Sequence, residues 1–229
     1  MLGWQGHLRF RVYNPSKIKK YGILVRMGCE SSTGYTCNLH IYDGKCGLLT
    51  ETLGFLLEPY ERKSYHLYQD NYYNSVHQTN ELLQKLIRVC GTIRVNRGLS
   101  KDMTEETTKL KKGEVPFRRN KEILLISHQD KRLINMISTL HTAEVIETTS
   151  KQMGVAKKIP KCITDYNTHM HSVDTADQYL AYYPFIRTTH SFVKLSSGPR
   201  KYFSVFSNVA FSTVMLPFQR IILIPAYHS

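Results

Sequence analysis

Asp70 is the residue whose neighbours best suit it to chemistry. It ends the alternating apolar/polar run Tyr65-His66-Leu67-Tyr68-Gln69, and the polar turn Asn71-Tyr72-Tyr73-Asn74-Ser75 follows before a helical pattern begins. In an α/β sheet a carboxylate at the carboxyl end of a strand lies in the crevice where ligands bind. There it can hold a divalent metal, provided that other acids reach the same point. Taken alone, the same aspartate starts an Asx-type turn and does nothing chemical. A second acidic stretch runs from Asp165 to Gln178, and in it Asp174 and Asp177 stand at helical spacing. Tyr166, Met170, Val173 and Asp177 share that spacing, which puts several of them on one face. Taken alone, these acids do no more than favour the dipole in a helix's first turn.

The elements that must position these acids follow from pattern. His7 to Tyr13 alternates basic and apolar residues as a half-buried strand does. Two further strands, 21–29 and 35–42, flank the hairpin turn Glu30-Ser31-Ser32-Thr33-Gly34. Leu49, Leu53, Leu56 and Leu57 predict a helix closed by Pro59. Ser75-Val76-His77-Gln78 forms a capping box for the helix after Asp70, with Leu82, Leu83, Leu86 and Ile87 as its apolar face. Residues 92–95 read as a short strand. The order strands, helix, strand, helix, strand predicts an α/β fold with a mixed sheet. Residues 98–121 are polar and read as a surface loop or insertion. Residues 122–127 and 132–139 read as a hairpin, and 151–161 as a basic linker.

The chain has 229 residues, 41% hydrophobic and 11% aromatic, enough for one core. Its net charge of +13 favours a polyanionic partner, nucleic acid before an anionic membrane surface. Candidate phosphate contacts are Arg9, Arg11, Lys17 and Lys20 near the start, Arg94 and Arg97 after the Asp70 region, and Lys111, Lys112, Arg118 and Arg119 in the basic stretch. The five cysteines, Cys29, Cys37, Cys46, Cys90 and Cys162, show no close pairing, so neither a zinc module nor a disulfide framework is indicated. Residues 1–30 lack the basic, apolar and small-residue regions of a signal peptide, and no apolar run approaches the roughly 20 residues that span a bilayer. An intracellular protein without membrane contact is expected.

Several blocks then carry a resemblance. Gly6 to Tyr13 with Pro15 and Lys20-Tyr21-Gly22-Ile23 comes first, followed by Cys29-Glu30-Ser31-Ser32-Thr33-Gly34-Tyr35. Next are Asp70-Asn71-Tyr72-Tyr73-Asn74-Ser75, Gly91-Thr92-Ile93-Arg94 and Asp165-Tyr166-Asn167. Met170, Val173-Asp174-Thr175-Ala176-Asp177-Gln178, Tyr182-Tyr183 and Arg187-Thr188 complete the set. In this order and spacing they resemble the transposase domain of the piggyBac family, close to piggyBac-derived proteins of animal genomes.

The resemblance implies a ribonuclease-H-like α/β fold in which three aspartates hold two divalent ions, Mg2+ or Mn2+, for attack on DNA phosphodiesters. It makes Asp70 the second catalytic acid and Asp174 the third, with Asp177 as a further candidate metal ligand. It also implies DNA as partner, a nuclear location and a homodimer. The first acid would precede Leu2, and this sequence has no acid before Glu30. The expectation is therefore a partial catalytic domain over 1–188, missing its first core strand and carrying a basic insertion or linker region at 98–160. It is expected to be inactive in cut-and-paste transposition, or else to serve as a non-enzymatic DNA- or chromatin-binding protein. His7 stands where the family has arginine, and His171-Ser172 where it has two glycines. The tail 189–229 reads either as translated out of frame or as a divergent, partly disordered end.

Overall fold

The computed structural model describes residues 2–3, 7–15, 20–44, 49–149, 156–170 and 220–225. Short strands come first: β1 (Leu2–Gly3), β2 (Val12–Tyr13) and β3 (Tyr21–Ile23) form a small antiparallel sheet in the order β1-β3-β2. The half-buried strand expected from residue 7 is cut short, because Arg11 N–H bonds the Leu8 carbonyl at 3.2 Å and turns the chain. That turn lets Leu8 and Phe10 pack on Ile23 and Val25.

β4 (Val25–Glu30) and β5 (Thr36–Ile41) pair antiparallel with a bulge between Gly28 and Cys29. Their turn is built by its own residues. Gly34 adopts φ 72°, a conformation that costs glycine little, and the Glu30 carboxylate accepts from the hydroxyls of Ser32 and Thr33. α1 (Leu49–Leu57) follows the predicted leucine spacing, and a short 3-10 turn containing Pro59 ends it. β6 (Tyr65–Gln69) leads into α2 (Val76–Gln84), where Ser75 caps the helix by accepting from the Gln78 N–H at 3.1 Å.

Leu86 departs from its expected place on the α2 face. The helix ends at Gln84, and Leu86 takes φ 58° in the following turn and is 55% exposed. β7 (Arg88–Thr92) starts earlier than the strand expected at 92–95, and residues 95–97 instead form a 3-10 turn. Where a surface loop or insertion is expected, α3 (Lys101–Thr108) and β8 (Phe117–Asn120) form. Ser100 caps α3 by accepting from the Met103 N–H. The expected hairpin is β9 (Ile123–Gln129) and β10 (Leu133–Ser138). Part of the expected basic linker is strand β12 (Ala156–Pro160), paired with β11 (Val145–Thr149). A helix, α4, covers residues 161–170, and β13 (Arg220–Pro225) is the part of the tail that is described.

The principal sheet is mixed, as expected, in the order β5-β4-β13-β6-β7-β10-β9-β8 among the described residues. β6 and β7 are parallel, with Gln69 opposite Gly91 at their carboxyl ends. β13 lies in the middle, parallel to β4 and antiparallel to β6. Helices cover both faces. Leu53, Leu56 and Leu57 of α1 and Leu82 of α2 bury against Leu67 and Val89 on one face. Cys162, Ile163 and Met170 of α4 bury against Tyr68, Cys90 and Cys29 on the other. The neighbours Leu67/Tyr68 and Val89/Cys90 serve opposite layers, as strand alternation requires. Each fully buried leucine contributes about 1.5–3 kcal/mol through removal from water.

Candidate nucleic-acid interface

The strand end at Asp70 is built by a clamp of amides. Gln69 Nε2 donates to Asn74 Oδ1 at 2.5 Å, while Asn74 Nδ2 donates to the Gln69 carbonyl at 3.2 Å and the Thr92 carbonyl at 2.7 Å. Both side chains are fully buried, and Gln69 Oε1 has no partner. The close approach of β6 and β7 requires Gly91, whose added Cβ would meet the Gln69 carbonyl oxygen at 2.1 Å. Asp70 emerges half-buried from this clamp. Its Oδ1 accepts from the Asn71 N–H, and its carbonyl accepts from the Tyr73 N–H at 3.1 Å. The turn is thus closed by the Asp70 backbone carbonyl, its carboxylate bonding the next N–H and not the one two residues on that an Asx-type turn uses, and the carboxylate stands at the carboxyl end of a central strand.

Cations stand beside it. Arg94 Nε donates to Asn71 Oδ1 at 3.2 Å, which sets an exposed guanidinium next to the Asp70 turn. Arg97 follows in the 3-10 turn that ends at Gly98, φ 110°. Arg118 and Arg119 lie on the wholly exposed β8, the outer strand of the described sheet. There Arg118 pairs with Glu106 at 2.7 Å, and Arg119 Nε holds the Lys121 carbonyl at 3.1 Å. Lys111 and Lys112 are exposed in the turn after α3. Arg9, Arg11 and Lys20 are exposed around the small sheet, where the Arg11 guanidinium lies 4.7 Å from the Tyr21 ring centre. Lys17, Asp174 and Asp177 lie outside the described residues.

The described part of α4 reaches Met170, four residues before Asp174, and is fixed by polar contacts. Ser31 Oγ and His169 Nδ1 are 2.9 Å apart, and the His169 ring lies 4.6 Å from that of Tyr68. Burial lowers the His169 pKa, while Asp165 opposes the shift. His141 bridges Ser138 and Asp165, each at 2.8 Å. Ser, His and Asp in line suggest a nucleophile triad. Yet Ser138 is fully buried and accepts from the Leu140 and His141 N–H groups, so the chain of contacts positions α4 instead. Burial also pushes the Cys162 thiol up to about 12 and Cys90 well above its ordinary value, which leaves both inert.

Among the described residues no group of three or more His, Cys, Asp or Glu side chains could hold a metal ion. They supply Asp70 as a lone carboxylate and do not by themselves fit a divalent ion, so no step is routed through one. Pattern alone assigns no separate role to Gln69, Asn74 or Gly91, the last two standing only as members of the quoted blocks, although a glycine inside a strand is a signal of close backbone approach. No described helix is long and apolar enough to cross a membrane.

The fold matches that of piggyBac transposase, seen by cryo-electron microscopy in a synaptic complex with hairpin DNA, with a TM-score of 0.70. The match covers 91% of this chain at 24% identity and 43% of the other, so the chain spans less than half of that protein's length. The family model described as Transposase IS4 matches residues 1–203. The chain therefore belongs to the Transposase IS4 family, and its fold is that of the piggyBac transposase.

Proposed function

We propose that this chain is a transposase-derived DNA-binding protein that does not by itself carry out strand transfer. The observation that carries the binding half is the exposed cations, Arg94 held beside the Asp70 turn and Arg118 and Arg119 on the outer strand β8. Phosphate neutralisation by such cations is independent of base sequence and steeply salt-dependent. The piggyBac neighbour's complex with hairpin DNA supports DNA as the polyanion. The parallel β6–β7 pair, the antiparallel β4–β5 pair and the helices on both faces support a ribonuclease-H-like core, with Asp70 and Asp174 as carboxylates of its metal centre. Two-metal chemistry needs three carboxylates at one point, and no group of three metal-ligating side chains forms among the described residues. In this reading the protein acts in the nucleus.

A duplex-binding titration over a salt series tests the first half, and a magnesium-dependent nicking assay tests the second. Binding that falls by about 0.9 log unit per phosphate contact for each tenfold rise in salt is expected. Binding indifferent to salt overturns the DNA reading. Strand cleavage that disappears in Asp70→Ala overturns the claim of inactivity. A second reading, a domesticated chromatin-binding protein, keeps the same exposed cations and is distinguished by a preference for nucleosomal over naked DNA.

A further inference from the structure

We propose that the cleft between α2 and the β8–β9 hairpin receives one unpaired nucleotide of a DNA strand. This rests on the DNA-binding reading above. The cleft has a volume of about 540 Å³, within the range of small-ligand sites. Val76, Asn80 and Leu83 fall at i, i+4 and i+7, so one face of α2 forms one wall. Leu125 and the buried Ile123 of β9 face them as an apolar floor. Gly98 closes one end, packed so near Val76 that an added Cβ would meet its side chain at 2.9 Å.

The rim is of opposite character. Arg119 and Lys121 line the cleft and have no carboxylate partner among the described residues. The two-residue turn between β8 and β9 holds Lys121 at φ 52°, and Arg119 Nε bonds its carbonyl, so the ηN–H groups of Arg119 remain for a phosphate. Glu122 is the acid among the lining residues, and Arg88 stands 4.0 Å from it. Asn80 Nδ2 is used by the Val76 carbonyl at 3.1 Å, which leaves Oδ1 as an acceptor, and Asn120 adds a second amide.

An apolar floor, two amides and two unpaired cations fit the parts of a nucleotide: base face, base edge and phosphate. A duplex backbone alone would leave the floor unused, because paired bases keep their faces stacked. An unpaired base can lay its face on Leu83 and Leu125 while its phosphate meets Arg119 and Lys121.

The test uses three fluorescent DNA probes with the full chain: a blunt duplex, the same duplex with one unpaired adenosine overhanging, and the same overhang made abasic. The base should tighten binding about five- to a hundredfold over the abasic probe. Asn80→Ala and Leu125→Gln should abolish that preference and leave blunt-duplex affinity unchanged. Arg119→Ala with Lys121→Ala should weaken all three. Asn80 is exposed, so its variant decides the matter if Leu125→Gln fails to fold. Equal affinity for base and abasic probes, with duplex binding intact, overturns the cleft assignment alone, and so does a preference that survives in Asn80→Ala. No binding to any probe overturns the DNA reading itself. Tighter binding of an RNA overhang overturns DNA as the occupant.

Discussion

The side-chain amide of Asn74 donates to the Thr92 carbonyl at 2.7 Å, and through it the turn after Asp70 is tied to the end of the neighbouring strand. Asn74 also exchanges hydrogen bonds with Gln69, so one buried side chain secures both strand ends. Asn74→Ala strands two carbonyls and the Gln69 amide. It should cost about 3 kcal/mol or more, read by urea denaturation. Asn74→Asp should lose at least as much, because its carboxylate cannot donate to either carbonyl. A wild-type midpoint in both variants would show that the clamp contributes nothing.

Glycine-to-alanine changes should have opposite signs at two positions. At Gly91 a Cβ would lie 2.1 Å from the Gln69 carbonyl oxygen and 2.3 Å from Asn74 Nδ2, so β6 and β7 must part. Overpacking of this kind costs about 1–3 kcal/mol or more. At Gly54, inside α1, nothing lies within 4 Å, and alanine should stabilise by about 0.5–1 kcal/mol. Melting temperatures that move the same way in both variants would contradict the packing described.

Acidification should weaken the fold in a definite window. Burial lowers the pKa of His40, His66 and His169 from 6.5, helped by Arg26 at His40 and by Arg88, His141 and His169 at His66. A lowered folded pKa means that the unfolded chain binds more protons below 6.5. The stability is therefore fully present above that value and is lost as pH falls through it. The melting temperature should drop between about pH 7 and pH 5, and His66→Gln should flatten the slope. A flat wild-type profile would count against these burial effects.

Glu106 restrains Arg118, and its removal should favour DNA. The pair is half exposed at 2.7 Å, so Glu106→Gln should change stability by less than about 1 kcal/mol. The released guanidinium should raise duplex affinity and steepen the salt slope by up to about 0.9. An unchanged slope would place Arg118 outside the DNA contact.

Ile222 stands opposite Cys29 on one side and Tyr68 on the other, in the middle of the sheet. Ile222→Pro removes a ladder donor there and should cost about 2–4 kcal/mol in thermal or chemical unfolding. An unaffected transition would exclude β13 from the sheet.

Local signals made much of this legible. The leucine spacing of α1, the Ser75 cap and the alternation of β6 each report on neighbours within a few residues, and each element formed where expected. α3 escaped notice because its apolar contribution is the single buried Met103 beside Thr107, too little for a periodic signal in a charged stretch. The cation pattern pointed to Arg118 and Arg119, but their meeting with Asn80 and Leu83 across a cleft depends on tertiary contact between elements distant in sequence. The clamp at Asn74 was legible as a motif and became intelligible only once Thr92 was seen beside it.

The place of β13 bears on how the molecule comes into being. It is the last of the described strands to leave the ribosome, yet its slot lies between β4 and β6, both translated far earlier. Until it arrives, those two strands present open edges to every other nascent chain nearby. Joining them so late in synthesis is a pairing of high contact order and hence slow. Yield in the cell should then depend on chaperones that shield β4 and β6 during translation.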